Sequence, residues 1–305
     1  MNNIVLYCKS YRRDFIRLQR LYESINKHNI DLIPFYISTP KSDKNELTSI
    51  LGSSGYLWIA DEDILSSNKK NASIPLDKIP GSVSQAIIKS EFWRLQISHN
   101  YVCLDSDCLF IKDFYVSDFL YKKTIPYTII YENKDYFQLA IDRGESTTVE
   151  NLKRESSRVK DLFERAGQNY YCHCPPFIWS SSVWESLSKN YLEPNNLTLW
   201  CLATEKKYKE LIFPETLIYI ETLIKYNAIP LIPREQLFRV YYSSWHYYLL
   251  KRLGEKEKKL SSNYLGVLYQ SNWQLEMDYG PSNKSIWSRA LKKVKRFFRF
   301  IESFF

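Results

Sequence analysis

Tyr101-Val-Cys-Leu-Asp-Ser-Asp-Cys-Leu-Phe110 is an apolar run that breaks on two aspartates, Asp105 and Asp107, one residue apart. Residues 101–104 have the composition of a buried strand, and the break predicts that the chain leaves a sheet there. As it turns, two carboxylates so spaced can face one point. Such a pair suits Mg²⁺ or Mn²⁺, which take a few carboxylate oxygens and keep positions open for phosphate oxygens. Taken alone, an Asp-X-Asp triplet is more often a solvated turn. Its meaning therefore depends on the surrounding sequence.

Working outward, strands and helices alternate. Residues 4–8, 32–38 (closed by Pro40) and 56–60 read as strands, the last followed by Asp61-Glu-Asp63. A helix over residues 12–28 repeats Phe15, Leu18, Leu21, Tyr22 and Ile25 at intervals of three and four. A second helix, over 82–98, follows Pro80-Gly81. This alternation predicts an α/β fold with a mostly parallel central sheet flanked by helices. In such sheets ligands bind beyond the carboxyl ends of the strands, where Asp61, Asp105 and Asp107 all fall. The second half reads as more helical, with helices over 148–166, 180–190 and 215–227 and short strands at 229–232 and 265–269. Gly144-Glu-Ser-Thr-Thr reads as a loop over the site.

The combination of Pro80-Gly-Ser-Val-Ser-Gln85, then Lys89-Ser-Glu-Phe-Trp-Arg-Leu95, then a strand ending in Asp105-Ser-Asp107 resembles the central signature of glycosyltransferases with the GT-A fold. The order of elements is similar over roughly the first 130 residues. The pattern is similar to that of uncharacterised bacterial members found with surface-polysaccharide genes. The resemblance implies a GT-A-like fold. It implies Asp105 and Asp107 as ligands of Mn²⁺ or Mg²⁺ and of the diphosphate. Lys9, Ser10 and Tyr11 would lie against the nucleotide, Asp61 near its base or ribose, and Gln85 and Lys89 beside the donor. Arg94 would reach the donor sugar or a phosphate. The residues themselves leave a plainer reading for two of these: Arg94 can pair with Glu91 at i, i+3, and Lys89, like Asp63, can be solvated.

A glycosyl donor departs as a nucleotide phosphate, and a bound cation offsets the charge growing on that leaving group. An inverting enzyme adds a base for the acceptor hydroxyl. Glu215, in the first turn of a helix, is the candidate, although the helix dipole alone would favour a carboxylate there. Glu221 falls on the opposite side. By the same resemblance His246 is a candidate third metal ligand; a histidine among aromatics is otherwise a hydrogen-bonded core residue. Trp179, Trp245 and Trp273 read as core residues or sugar-stacking platforms.

The chain has 305 residues, 45% apolar, 25% charged and 16% aromatic, with eight glycines and twelve prolines. That excludes wholesale disorder and low-complexity material, and no apolar run is long enough to span a bilayer. The start lacks the pattern of a secretory signal, which predicts a cytoplasmic protein. The six cysteines fit that compartment, Cys172-His173-Cys174 being too short for a closed zinc site. The sequons at Asn71, Asn196 and Asn283 then have no glycosylation role.

Charge divides the chain into residues 1–283, the expected catalytic domain, and a tail, 284–305. The net charge is +8, and the tail holds seven cations against Glu302, leaving the rest near neutral. This argues against nucleic acid as a partner. In the tail Ile286, Trp287, Ala290, Leu291, Val294, Phe297, Phe298 and Ile301 recur at helical period, with Lys and Arg around them. A basic amphipathic helix of this kind predicts attachment to an anionic membrane surface, here the inner face of the plasma membrane.

The expected function is transfer of a sugar from a UDP-, GDP- or CMP-sugar to a glycan or lipid-linked glycan of a bacterial surface. One alternative is a nucleotide-sugar pyrophosphorylase or another nucleotidyltransferase, against which Tyr7-Cys-Lys-Ser-Tyr-Arg12 lacks the usual glycines. The other is a membrane-bound scaffold whose Asp pair is only a turn.

Overall fold

The computed structural model describes residues 2–71, 80–142, 144, 146–172, 174–204 and 214–270. The tail at 284–305, His173, Trp273, the side chain of Trp245 and part of the Gly144 loop lie outside the described residues.

The central sheet joins β1 (Asn2–Lys9), β2 (Phe35–Thr39), β3 (Leu57–Ala60), β4 (Ser98–Leu104) and, past two strands of the smaller sheets introduced next, Phe177–Ser180. Strands β5 (Cys108–Phe110), β6 (Thr128–Ile129), β7 (Phe177–Ser180), β8 (Pro233–Arg234), β9 (Phe238–Tyr241) and β10 (Gly266–Tyr269) complete the set. The central order is β3-β2-β1-β4-β7, parallel except for β7, which runs antiparallel to β4. A second sheet, β5-β10-β9, starts where the Asp-Ser-Asp turn ends, and β6 pairs with β8. This is the expected α/β, GT-A-like architecture.

β1 and β4 are the middle strands. Val5 to Cys8 and Tyr101 to Leu104 are wholly buried, because helices cover both faces. Hence their unbroken apolar sequence in place of alternation. Helix α1 (Phe15–His28) buries Phe15, Leu18, Leu21 and Ile25 as its periodicity demands, after a 3₁₀ turn at Arg12–Asp14. Helices α2 (Lys44–Leu51), α3 (Asp61–Ser66) and α4 (Gly81–Glu91) follow.

Several expected boundaries shift for local reasons. The helix expected to reach residue 98 stops at Glu91, continues as a 3₁₀ turn to Leu95 and is ended by Gln96 in the left-handed region (φ 52°). β4 therefore begins at Ser98, three residues early. In its polar start the Asn100 amide donates to the carbonyls of Asn3 and Thr124, both at 3.0 Å, while Asn100 Oδ1 and the Ser98 hydroxyl are buried without a partner. The strand expected over 229–232 is instead β8, pairing through Pro233 and Arg234. β7 has no counterpart among the strands expected from the sequence. Gly266 opens β10 because any Cβ there would lie 2.5 Å from the Leu109 carbonyl and the Phe238 ring.

The remaining helices are α5 (Lys134–Asp142), α6 (Ser146–Leu162), α7 (Ser181–Leu187), α8 (Leu199–Thr204), α9 (Glu215–Tyr226), α10 (Ser244–Arg252) and α11 (Glu257–Leu260). Trp179 is 1% exposed, in edge contact with Tyr101 and Trp184, so it serves the core and offers no sugar platform. Among the described residues no helix is long and apolar enough to cross a membrane.

Candidate active site

Cys8 of β1 lies opposite Leu104 of β4, so the two strands release Lys9-Ser10 and Asp105-Ser106 side by side. The Asp-Ser-Asp turn is fixed from three directions. The Cys108 N–H donates to the Asp105 carbonyl (3.0 Å), and the Tyr269 N–H donates to the Asp107 carbonyl (3.2 Å). The Ser106 hydroxyl donates to the Ser10 hydroxyl (2.9 Å). A small cleft of about 60 Å³ opens here, lined by Lys9, Asp14, Arg17, Gln85, Asp105, Ser106 and Asp107. The two aspartates thus share one cleft.

Asp105 is the hub of a charged cluster. Its Oδ1 accepts from the Lys89 ammonium and from the Gln85 amide (3.2 Å). Lys89 and Gln85 lie four apart on α4, which presents both to the strand end. The Lys89 side chain is 3% exposed, so its reading as a solvated residue is corrected. Burial pushes its pKa down, but the charges of Asp105 and Glu215 outweigh burial and raise it. The ammonium remains charged.

Glu215 starts α9, which packs beside α4. Desolvation raises its pKa, Lys89 opposes the rise and Asp105 adds to it. Behind it, on α6, Glu155 is pushed up to about 7 by desolvation and by the charge of Glu215. Asp105, Lys89, Glu215 and Glu155 therefore form one electrostatically coupled series. Glu221, six residues on, is spent on a buried ion pair with Arg165 (2.7 Å).

At the other strand end, Lys9 Nζ lies 3.5 Å from Asp61 Oδ2 and donates to the Ser10 carbonyl (3.1 Å). Asp61 is 1% exposed, and its Oδ1 has no hydrogen-bond partner. Desolvation lifts its pKa to about 6 against the pull of Lys9 and the Ser38 hydroxyl. Lys9 Nζ also sits 5.5 Å from the centre of the half-exposed Tyr11 ring. Asp63 is an exposed partner of Lys41 (2.8 Å).

Two expected residues are placed elsewhere. Arg94 pairs with Glu91, donates to the Ser188 hydroxyl (2.8 Å) and lies over the Trp93 ring. Glu91 also accepts from Asn71 (2.9 Å), so this is a structural network on the far side of α4. His246 stands on α10 between the rings of Tyr241 and Tyr242, centroids about 6 Å away. Among the described residues no three His, Cys, Asp or Glu side chains converge on one point, so His246 does not complete a three-ligand set with the Asp pair.

The pair alone still fits a hard divalent cation. Mg²⁺ in particular is held by one or two carboxylates, with substrate phosphates and water in its other positions. Lys9 and Arg17, on the same cleft, add positive charge for a diphosphate.

Arg17, Asp14 and Glu155 were missed from the sequence. Arg17 is 4% exposed and bonded to Asp14 (2.6 Å). Its position among the buried residues of α1, four before Leu21, was the available signal: a cation on an apolar face has to be paired. Glu155 gave no such signal in a helix crowded with charge. A cavity of about 740 Å³, which shares no lining residue with this cleft, is lined by Tyr131, Tyr170, Tyr264, Glu132, Glu235 and several amides. It is joined toward α10 by the Tyr242 hydroxyl, which donates to Asn133 (3.2 Å).

Residues 3–265 match the model of a family of unknown function, DUF6492, and the chain belongs to that family. No curated protein sequence matches it. In structure it is similar to apo mouse xyloside xylosyltransferase 1, with a TM-score of 0.50 at 7% identity, over 88% of this chain and 98% of that one. It is also similar to the apo WbbM bifunctional glycosyltransferase, with a TM-score of 0.50 at 10% identity, over 95% of this chain and 51% of that one. The chain thus spans about half the length of WbbM. At these identities the likeness is one of fold.

Proposed function

We propose that this member of the DUF6492 family is a glycosyltransferase that moves a sugar from a nucleotide-sugar donor to a glycan acceptor. The observation that carries the reading is the meeting of Asp105 and Asp107 with Lys9 and Arg17 in one cleft, at the carboxyl ends of the two middle strands of a GT-A-like sheet. A divalent ion held by the two aspartates would supply a Lewis acid for the leaving diphosphate. Lys9 and Arg17 add cationic donors to the same phosphates. Asp61, with a buried oxygen lacking a partner, offers an acceptor for a ribose hydroxyl or base N–H. Lys89 fixes the Asp105 carboxylate in place.

On the acceptor side, Glu215 is the candidate base of an inverting reaction, and its charge is felt by Glu155 on α6. The 740 Å³ cavity, with tyrosine rings among amides and carboxylates, has the chemistry of a sugar-binding wall. A surface glycan of a bacterium is the acceptor favoured by the resemblance in sequence. Residues 284–305 would help hold the enzyme at an anionic leaflet, so deleting them should weaken its binding to anionic vesicles and spare transfer to a soluble acceptor.

The reading is tested by donor hydrolysis across UDP-, GDP- and CMP-sugars with and without Mn²⁺. One donor class should turn over with metal, and Asp105→Ala and Asp107→Ala should each abolish it. Turnover that survives both substitutions contradicts the proposal.

A further inference from the structure

Helix α10 buries one face against the small sheet, where the Tyr247 ring meets Tyr241 at 5.1 Å and Tyr269 at 5.9 Å. Its other face does not follow the usual pattern. Tyr248 is 57% exposed, Leu249 36% and Leu253, at the C-cap, 73%, with exposed Arg252 among them. The pairs 248/252 and 249/253 are each four apart, so the four side chains form two adjacent rows on one surface. Large apolar groups gathered in water on so short a helix mark a contact surface.

The charge beside this patch is predominantly positive. Lys256, Lys258 and Lys259 follow it and are exposed. Residues 251–259 hold five cations and two acids. One of the acids, Glu255, is already engaged by the Tyr241 hydroxyl (2.7 Å) and by Arg239 (3.3 Å).

The chain also leaves the described residues here. β10 ends at Tyr269, opposite Tyr241 of β9, and the Gln270 N–H donates to the Tyr241 carbonyl (3.4 Å). α10 starts three residues after Tyr241. The described chain therefore ends, at Gln270, beside the foot of α10, and the 35 residues after it in the sequence include the strongly basic stretch 284–305.

We propose that the outer face of α10, with the lysines that follow it, docks on an anionic lipid bilayer. Tyr248, Leu249 and Leu253 enter the boundary between headgroups and acyl chains, and Arg252, Lys256, Lys258 and Lys259 meet the lipid phosphates. A fold-back of the basic tail or a second copy of this surface would set cations against cations. A sheet of anionic headgroups supplies the missing counter-charge. Because the carboxyl end of β10 bonds to Asp107, docking holds the rim of the candidate cleft at headgroup level. This surface is distinct from residues 284–305, and the inference holds whether or not the cleft transfers a sugar.

The test is co-sedimentation of the full chain with phosphatidylcholine vesicles, with and without phosphatidylglycerol. The proteins compared are wild type, the double variant Leu249→Glu/Leu253→Glu and the triple variant Lys256→Ala/Lys258→Ala/Lys259→Ala. Wild type should bind the anionic vesicles, and each variant should partition about tenfold less, since two apolar insertions or three surface cations are lost. Thermal unfolding, unchanged because the positions are exposed, confirms that each variant is folded. Undiminished binding of both variants would assign attachment to the tail alone and overturn the proposal. Tighter binding would show that the tail covers this face, and a wild-type dimer broken by the leucine variant would show self-association; either result also overturns it.

Discussion

The strand ends around Asp105 and the outer face of α10 treat charge in opposite ways. At the strand ends each cation is buried against a carboxylate, Lys9 with Asp61 and Lys89 with Asp105. On α10 and α11 cations of one sign stand in water beside exposed apolar side chains. Burying a charged pair costs several kcal/mol of desolvation per ion, and its mutual attraction recovers that only with good geometry. Such pairs contribute little net stability, so a cluster of them at the mouth of a cleft points to chemistry. Exposed cations cost little to hold and point instead to a partner outside the fold. Substitutions should separate the two regions cleanly.

The largest effect belongs to the cleft. Asp107→Asn should lower donor turnover by about a thousandfold or more, equivalent to about 4 kcal/mol of transition-state stabilisation. Its unfolding midpoint in urea should stay close to that of wild type. A matching loss of stability would recast the turn as purely structural.

Next comes Lys89→Met. It leaves the Asp105 carboxylate without its ammonium, and denaturant titration should read a destabilisation of about 3 to 4 kcal/mol. A change below 1 kcal/mol would show that the pair is well solvated.

Asp61 gives a pH signature. Its pKa rises from the ordinary carboxylate range, near 4, to about 6 on folding. The folded state therefore holds the proton more tightly, and the stability this contributes is complete below pH 4 and lost as pH rises through 6. Unfolding of wild type and Asp61→Asn, measured at pH 4 and pH 7, should differ by up to about 3 kcal/mol more at one pH than at the other, with wild type relatively weaker at pH 7. A difference independent of pH would place Asp61 in contact with water.

The smallest change is expected on α10. Leu249→Glu/Leu253→Glu should shift stability by less than about 0.5 kcal/mol, as scanning calorimetry can check, because exposed positions carry little folding energy. A large loss would mean that these leucines belong to the core.

The first half of the fold was legible because its strands are continuous apolar runs and α1 keeps a clean helical period. The Asp pair, Lys9 and Asp61 were legible for a related reason, since polar residues directly after such runs have to lie at strand ends, whereas Gln85, on α4, was marked only by the resemblance. Lys89 read as solvated because its partner, Asp105, is 16 residues away and becomes a neighbour only when α4 packs on β4. Arg94 points the opposite way, a residue marked by a motif whose structural partner, Glu91, is also within that motif. β7 was hidden because Phe177-Ile-Trp-Ser180 is too short for alternation to show and enters the sheet antiparallel. α10 was hidden because its outer face is apolar, which breaks the pattern expected of a surface helix.

The central claim is that Asp105 and Asp107 bind a divalent cation together with a nucleoside diphosphate. Isothermal titration calorimetry with UDP, GDP and CDP, in the presence and absence of Mn²⁺, measures it directly. At least one nucleotide should bind tightly only with the metal, and Asp105→Ala and Asp107→Ala should each remove that metal dependence. Equal affinity with and without Mn²⁺, or metal-linked binding unaffected by both substitutions, would contradict it.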